Sequence, residues 1–388
     1  MESPIGSFVR AGRDLRVDFI RGLALWFIFI DHTPGNLLGN LTLRNIAFCD
    51  ATEGFVLLAG YAAGIAYGRM LEREGWLHAA ARVAGRVGTL YVAHIFLFVV
   101  FTAQVGFSAA ALDQAAYLDE LQLDPFGSEP YRAMLEALLL RYQPAFLDIL
   151  PLYIVVLAMF AMVMPLMRQP VLLLAVSVGL YAAARAFDLA PPSWTGSGWF
   201  FNPLAWQLLF VIGLVLGRAD PVALARRFPW NRWLAALAVL LLLAGAVLLN
   251  LVWHGPGRGM EPPEWLSAWL AGVDKTGLHP VRLASVLVMT WLVAHCLPAG
   301  ARWLNGALAA PFTLMGQQGL AVFCAGIFLS FLGRVALEVA FGIPMQVAVN
   351  LAGLAALIAV AVISAWYGGE GRRRATPALP ATTQPARP

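Results

Sequence analysis

The sequence predicts an all-α, polytopic integral membrane protein of about ten transmembrane helices, with both termini in the cytoplasm. Three observations carry that reading. Of 388 residues, 60% are hydrophobic and only 12% are Asp, Glu, Lys or Arg, about half of the roughly 25% charged fraction of soluble domains. A water-soluble fold of this length needs a charged surface, and too few ionisable residues exist to cover it; the same composition excludes a disordered chain and a nucleic-acid reader. Apolar runs of about 20 residues, the length that crosses a bilayer, recur along the chain, and in hydrocarbon their backbone polar groups are satisfied only within a helix.

The elements follow in order. Arg10, Arg13 and Arg16 precede an apolar run from Phe19 to Ile30, which superficially resembles a signal peptide. No small-residue cleavage site follows, and Asp31-His32 interrupts the run, so it is taken as the first membrane helix. Spans are expected near residues 18 to 37, 50 to 68, 84 to 107, 145 to 167, 170 to 188, 201 to 218, 231 to 253, 281 to 299, 309 to 332 and 344 to 367. Pro, Gly and Trp clusters such as Pro191-Pro192-Ser193-Trp194 and His254-Gly255-Pro256-Gly257 mark loops between them. In the second span Gly60 and Gly64 are spaced as small-xxx-small, which lets a helix approach a neighbour closely. Gln317 and Gln318 in the ninth are expected to make interhelical hydrogen bonds. Residues 1–367 thus form one transmembrane domain, and a tail, 368–388, rich in Pro, Thr and Ala, is expected to be disordered and cytoplasmic. No internal repeat is visible.

Orientation follows from arginine. The net charge of +4 comes almost wholly from arginines, since Lys275 is the only lysine. Arg69, Arg73, Arg82, Arg86, Arg168, Arg218, Arg226, Arg227, Arg232, Arg302 and Arg372-Arg373-Arg374 fall on one side. Asp113, Asp119, Glu120, Asp124, Glu129, Glu261, Glu264 and Asp274 fall in longer loops on the other. The arginine side is cytoplasmic. Cys49, Cys296 and Cys324 are odd in number and far apart, which argues against a disulfide framework or a metal site.

A charge in hydrocarbon costs at least about 2.5 kcal/mol, so each ionisable group inside a span is a candidate for function. Arg21 and His32 are eleven residues apart in the first helix; at about 100° per residue they share one face, with His32 about 16 Å further outward. The second helix enters from outside through Asp50-Ala51-Thr52-Glu53, so Glu53 is expected at the depth of Asp31 and His32. Packing alone explains one such residue more readily than four. Asp148 and Asn202 at outer helix ends, and Lys275, His279 and Arg282 before the eighth helix, point to the same outer layer. Arg86 leads into the third helix from the cytoplasm, and Tyr91 and His94 follow it at greater depth. Gly255-Pro256-Gly257-Arg258-Gly259 loosely resembles a phosphate loop but follows no strand and is discounted. Neither a G-x-S-x-G elbow nor an H-E-x-x-H site occurs.

An Arg, ten intervening residues and a His in the first helix, a Glu-Gly-Phe-Val-Leu-Leu-Ala-Gly run in the second and Arg86 before the third resemble the membrane acyltransferase family 3 layout. The chain is more similar still to the OpgC branch of that family. The matching segments are Arg13-Asp14-Leu15-Arg16-Val17-Asp18-Phe19, Ile30-Asp31-His32, Thr42-Leu43-Arg44-Asn45, Leu90-Tyr91-Val92-Ala93-His94, Gln143-Pro144, Asp148-Ile149-Leu150-Pro151-Leu152-Tyr153, Phe201-Asn202-Pro203-Leu204-Ala205-Trp206-Gln207 and Asp274-Lys275-Thr276. Ala59-Gly60 stands where the wider family tends to have Ser-Gly, leaving no serine nucleophile there. The resemblance implies a ten-helix enzyme of the bacterial inner membrane that succinylates osmoregulated periplasmic glucans from cytoplasmic succinyl-CoA, with no bound cofactor.

On that reading His32 is the general base, Asp31 or Glu53 orients or charge-stabilises the imidazole, and Arg21 and Arg86 hold phosphates of the acyl-CoA. Asp148, Asn202, His94, Lys275 and Arg282 are candidates for contact with acceptor or acyl group, with Lys275 or Arg282 pairing the succinyl carboxylate. Two alternatives stand beside it: acetyl transfer from acetyl-CoA to another extracytoplasmic polysaccharide, and a proton-coupled exporter using Asp31, His32 and Glu53 as a relay.

Overall fold

The computed structural model describes residues 14–196, 198–254, 260–298 and 300–375. The phosphate-loop-like stretch 255–259, Arg10, Arg13 and the tail beyond 375 lie outside the described residues. Among those described there are helices and no strands.

Each of the ten expected spans is met by a long helix: α1 Leu15–Asp31, α2 Ala51–Glu74, α3 Trp76–Ala111, α4 Ile149–Val163, α5 Pro170–Ala186, α6 Pro203–Arg218, α7 Arg232–His254, α8 Pro280–Cys296, α9 Gly319–Val339 and α10 Ile343–Ala375. The number of crossings is a different matter. Among the described residues six helices are long and apolar enough to span a membrane, or seven if Pro203–Arg218 and Pro221–Arg227, bent by 114°, count as one. The helices α1, α5 and α8 have 17 residues each and reach only about 25 Å at 1.5 Å per residue.

Two of the sequence-based boundaries change for identifiable reasons. The first span was expected to run to residue 37, but α1 ends at Asp31 with His32 as its C-cap. Pro34 lacks a donor N–H and Gly35 sits at φ +80°, so the chain turns there. It then runs back along the outer edge as a 3₁₀ turn, Leu37–Leu41, and a short helix, Leu43–Ile46. The ninth span is broken: a half-helix Ala310–Gln317 stops at Gln318 before α9 begins.

Glycines set the closest packing. On α2, a Cβ at Gly60 or Gly64 would meet the carbonyls of Phe210 and Leu214 on α6; reciprocally, one at Gly213 or Gly217 would meet the carbonyls of Leu57 and Tyr61. The two small-xxx-small faces lock backbone to backbone. Gly22 of α1 faces the Phe312 carbonyl, and Gly316 faces that of Asp18, in the same fashion. Side-chain amides tie further pairs. Gln317 donates to Asp18 Oδ2 at 3.1 Å, and Gln318 accepts from Ser364 at 3.0 Å.

The long outer loop after α3 carries three short helices, Ala116–Glu120, Asp124–Ser128 and Pro130–Leu138. It is pinned to α9, where Arg334 bridges Glu120 and Glu338 and the Tyr117 hydroxyl donates to Glu338. Burial and then the Glu338 partner push the Tyr117 phenol up to about 12. The loop is therefore held against the bundle and closes one side of the outer cavity.

Candidate functional site

Where α1 ends and α2 begins, sequence dictates the local geometry. Asp50 is the N-cap of α2 and accepts from the Thr52 amide at 2.8 Å, while Glu53 accepts from the Asp50 amide at 2.9 Å. This capping box fixes both carboxylates at one helix end. Opposite them lies the loop 274–279, held from four directions. Arg185 pairs with Asp274 at 3.1 Å and donates to the Gly277 carbonyl at 2.8 Å. The Trp206 indole donates to the Lys275 carbonyl at 3.0 Å, and the Tyr181 hydroxyl to that of Leu278 at 2.8 Å. The Asn202 amide donates to the Thr276 carbonyl at 3.1 Å.

So placed, the two cations meet the two carboxylates. Lys275 Nζ is 2.5 Å from Asp50 Oδ2, Arg282 Nε donates to Glu53 Oε1 at 2.7 Å, and Arg282 Nη2 is 3.4 Å from Asp50 Oδ2. The Lys275 ammonium also lies 5.3 Å from the Phe201 ring. Glu53 has no exposure at all, so the guanidinium of Arg282 is its necessary countercharge.

This cluster forms one wall of a cavity of about 820 Å³ that also takes in Asp31, His32, Arg44, Gln143, Asp148 and the aromatic rings of Trp199, Phe200 and Trp253. His32 packs its ring against Phe146 at 4.3 Å, and its Nδ1 has no hydrogen-bond partner. Asp31 accepts from the Thr42 hydroxyl at 2.6 Å. Asp148, half-buried on the cavity wall, has its carboxyl pushed up to about 6 by burial despite the attraction of Lys275.

Of the residues singled out in sequence, Asp31, His32, Asp148, Lys275 and Arg282 line this one cavity, and Glu53 lies directly behind it through Arg282. Their pairing differs from the expectation. Neither carboxylate orients His32: Asp31 is engaged by Thr42 and Glu53 by Arg282. Arg282 and Lys275, expected to meet an acyl carboxylate, are each neutralised within the protein. Asn202 is the N-cap of α6, its side chain accepting from the Leu204 amide at 3.0 Å and donating to the Leu189 carbonyl at 2.6 Å; the hydrogen bonds that would meet a substrate are taken up in the fold. His94 is fully buried in α3, with no partner for either ring nitrogen, and is not on the cavity wall.

Arg21 and Arg86 lie at the other level. Arg21 is 3.6 Å from Asp18 and donates to the Leu58 carbonyl at 3.2 Å, while Arg86 is exposed. On α4 the Tyr153 hydroxyl donates to the Phe55 carbonyl at 3.3 Å. Three cavity residues were missed as candidates. Asp50 was signalled by the Asp-x-x-Glu capping pattern, and Arg44 and Gln143 lie in short segments that carried the resemblance. Gln143 donates to the Leu140 carbonyl at 2.8 Å and leaves its Oε1 unpartnered.

A family model described as OpgC protein matches residues 13–369, nearly the whole chain. No curated protein and no solved structure matches it. The matched region contains both the cavity and the Arg21–Arg86 level, so this multi-pass helical protein belongs to the OpgC family, a membership that points to a membrane acyltransferase.

Proposed function

We propose that the chain is an inner-membrane O-acyltransferase that transfers a succinyl group from cytoplasmic succinyl-CoA to hydroxyls of osmoregulated periplasmic glucans. The observation that carries this reading is His32. Among the described residues it has no partner at Nδ1, and it stands on the wall of a polar and aromatic cavity, eleven residues along the chain from Arg21. Sugar rings present apolar faces that lie well on Trp199, Phe200 and Trp253. With both termini in the cytoplasm, the cavity faces the periplasm, where the acceptor is.

In the reaction the imidazole of His32 takes the proton of a glucan hydroxyl as the oxygen attacks the thioester carbonyl carbon. The tetrahedral intermediate collapses with breakage of the C–S bond. The thiolate of CoA leaves and recovers the proton from the imidazolium, so one ester and one thiol are formed for one hydroxyl and one thioester. The Asp50, Glu53, Lys275 and Arg282 cluster is neutral as a group and braces one wall of the cavity. Arg21 and Arg86 serve the phosphates of the donor at the cytoplasmic level.

The test is mass spectrometry of periplasmic glucans from cells lacking the protein, complemented with wild type or His32→Ala. Wild type restores the succinyl mass increment; the variant, expressed to the same level, falls short by about 10² to 10⁴ in transfer rate. An acetyl increment would redirect the donor, and unchanged glucan masses with wild type would remove the assignment.

A further inference from the structure

Among the described residues, every lysine and arginine on the cavity wall but one has a carboxylate partner. Lys275 is matched by Asp50, Arg282 by Glu53 and Asp50, and Asp274 by Arg185. Arg44, in the last turn of the short helix Leu43–Ile46, also lines the cavity. Its side chain is exposed and, among the described residues, makes neither a hydrogen bond nor an ion pair. Asp31 lines the same cavity but forms no ion pair with Arg44, and its Oδ1 accepts from the Thr42 hydroxyl. Asp31 and His32 line the same cavity as Arg44, and its charge acts on both.

We propose that Arg44 receives the free carboxylate at the far end of the acyl group and so selects a dicarboxylic acyl donor over an acetyl one. The inference rests on the acyl-transfer reading of the same cavity. Two methylenes separate the reacting carbonyl of a succinyl thioester from its carboxylate, about 5 Å at ordinary bond lengths, so the two ends of the acyl group engage separate residues of one cavity. The planar fork of an arginine matches a carboxylate with two parallel N–H donors, and a guanidinium without a protein partner has no pair to break first. Lys275 and Arg282 fail that condition, because drawing either one to a ligand leaves Asp50 or Glu53 uncompensated in a buried site.

The experiment measures equilibrium binding to the purified full chain in nanodiscs. The probes are the amide analogues of succinyl-CoA and acetyl-CoA, in which nitrogen replaces the thioester sulfur. Wild type prefers the succinyl probe. Arg44→Gln weakens the succinyl probe by at least about tenfold and lowers the succinyl-over-acetyl preference by the same factor, and Arg44→Lys, which keeps the charge without the fork, falls between. Equal loss for both probes, or an unchanged preference, overturns the assignment. Glucan acylation is followed on the same preparations. A wild type that discriminates between the probes but acylates no glucan removes the acyltransferase reading alone. Transfer retained with no change in preference removes the Arg44 assignment alone.

Discussion

Glu53 illustrates what one buried carboxylate demands. It has no solvent contact, and its partners are the Arg282 guanidinium and the Asp50 amide. Removing one member of a buried pair costs about 3 to 5 kcal/mol, because the other charge is left alone. Glu53→Gln is therefore expected to lower the thermal unfolding midpoint of the detergent-solubilised protein and to impair transfer from any donor. An unchanged midpoint would mean that the pair does not form. Asp148 makes a different demand. Its folded-state pKa, about 6, lies above the ordinary aspartate value of about 3.9, so its ionisation penalises folding. The penalty is absent below about pH 4, grows as pH rises toward 6 and is complete above it. Asp148→Asn should match wild-type stability at pH 4 and exceed it at pH 7, and a constant difference across that range would refute the shift.

Between elements, the α2–α6 contact has the least tolerance. Gly64 and Gly213 each lie where an added Cβ would meet a facing carbonyl, whereas Gly54 on the same α2 has open space around it. Gly213→Val should cut accumulation of folded protein in the membrane severely, since neither backbone can give way; Gly54→Ala serves as the matched control and should fold normally. Fluorescence-detected size exclusion of the two variants reads this directly. The outer loop depends instead on side chains. With Arg334 replaced by Ala, Glu120 and Glu338 lose their shared cation, and amide exchange across 112–148 is expected to rise while that in α2 stays slow. Equal protection in both proteins would show that packing alone holds the loop.

At the scale of the whole molecule, the sequence predicts an even number of crossings between its ends, while among the described residues six or seven helices meet the length and apolarity of a span unaided. The helices α1, α5 and α8 reconcile the two only if they cross at about 25 Å, at the short end of what a bilayer accommodates. Reporter fusions after residues 120, 190, 274 and 375 test this. With a cytoplasmic N-terminus, ten crossings place the first three outside and the last inside, and an external C-terminus would require an odd count.

Composition and hydropathy were enough to determine a helical membrane protein and the positions of its ten long helices, because each apolar run must satisfy its own backbone wherever it packs. The cost of charge in hydrocarbon likewise marked His32, Asp31, Glu53, Lys275 and Arg282, and the Gly60–Gly64 spacing marked a close helix contact. Which charge meets which was not legible. Asp50 and Lys275 are 225 residues apart, and their pairing depends on how Arg185, Trp206 and Tyr181 seat one loop. Tertiary packing alone decided that Glu53 belongs to Arg282 and not to His32, that the Asn202 side chain is absorbed by its own helix cap, and that Arg44 is the one arginine or lysine on the cavity wall without a carboxylate partner among the described residues. Burial is local and can be read from a residue and its neighbours in sequence; charge compensation is a property of the assembled cavity.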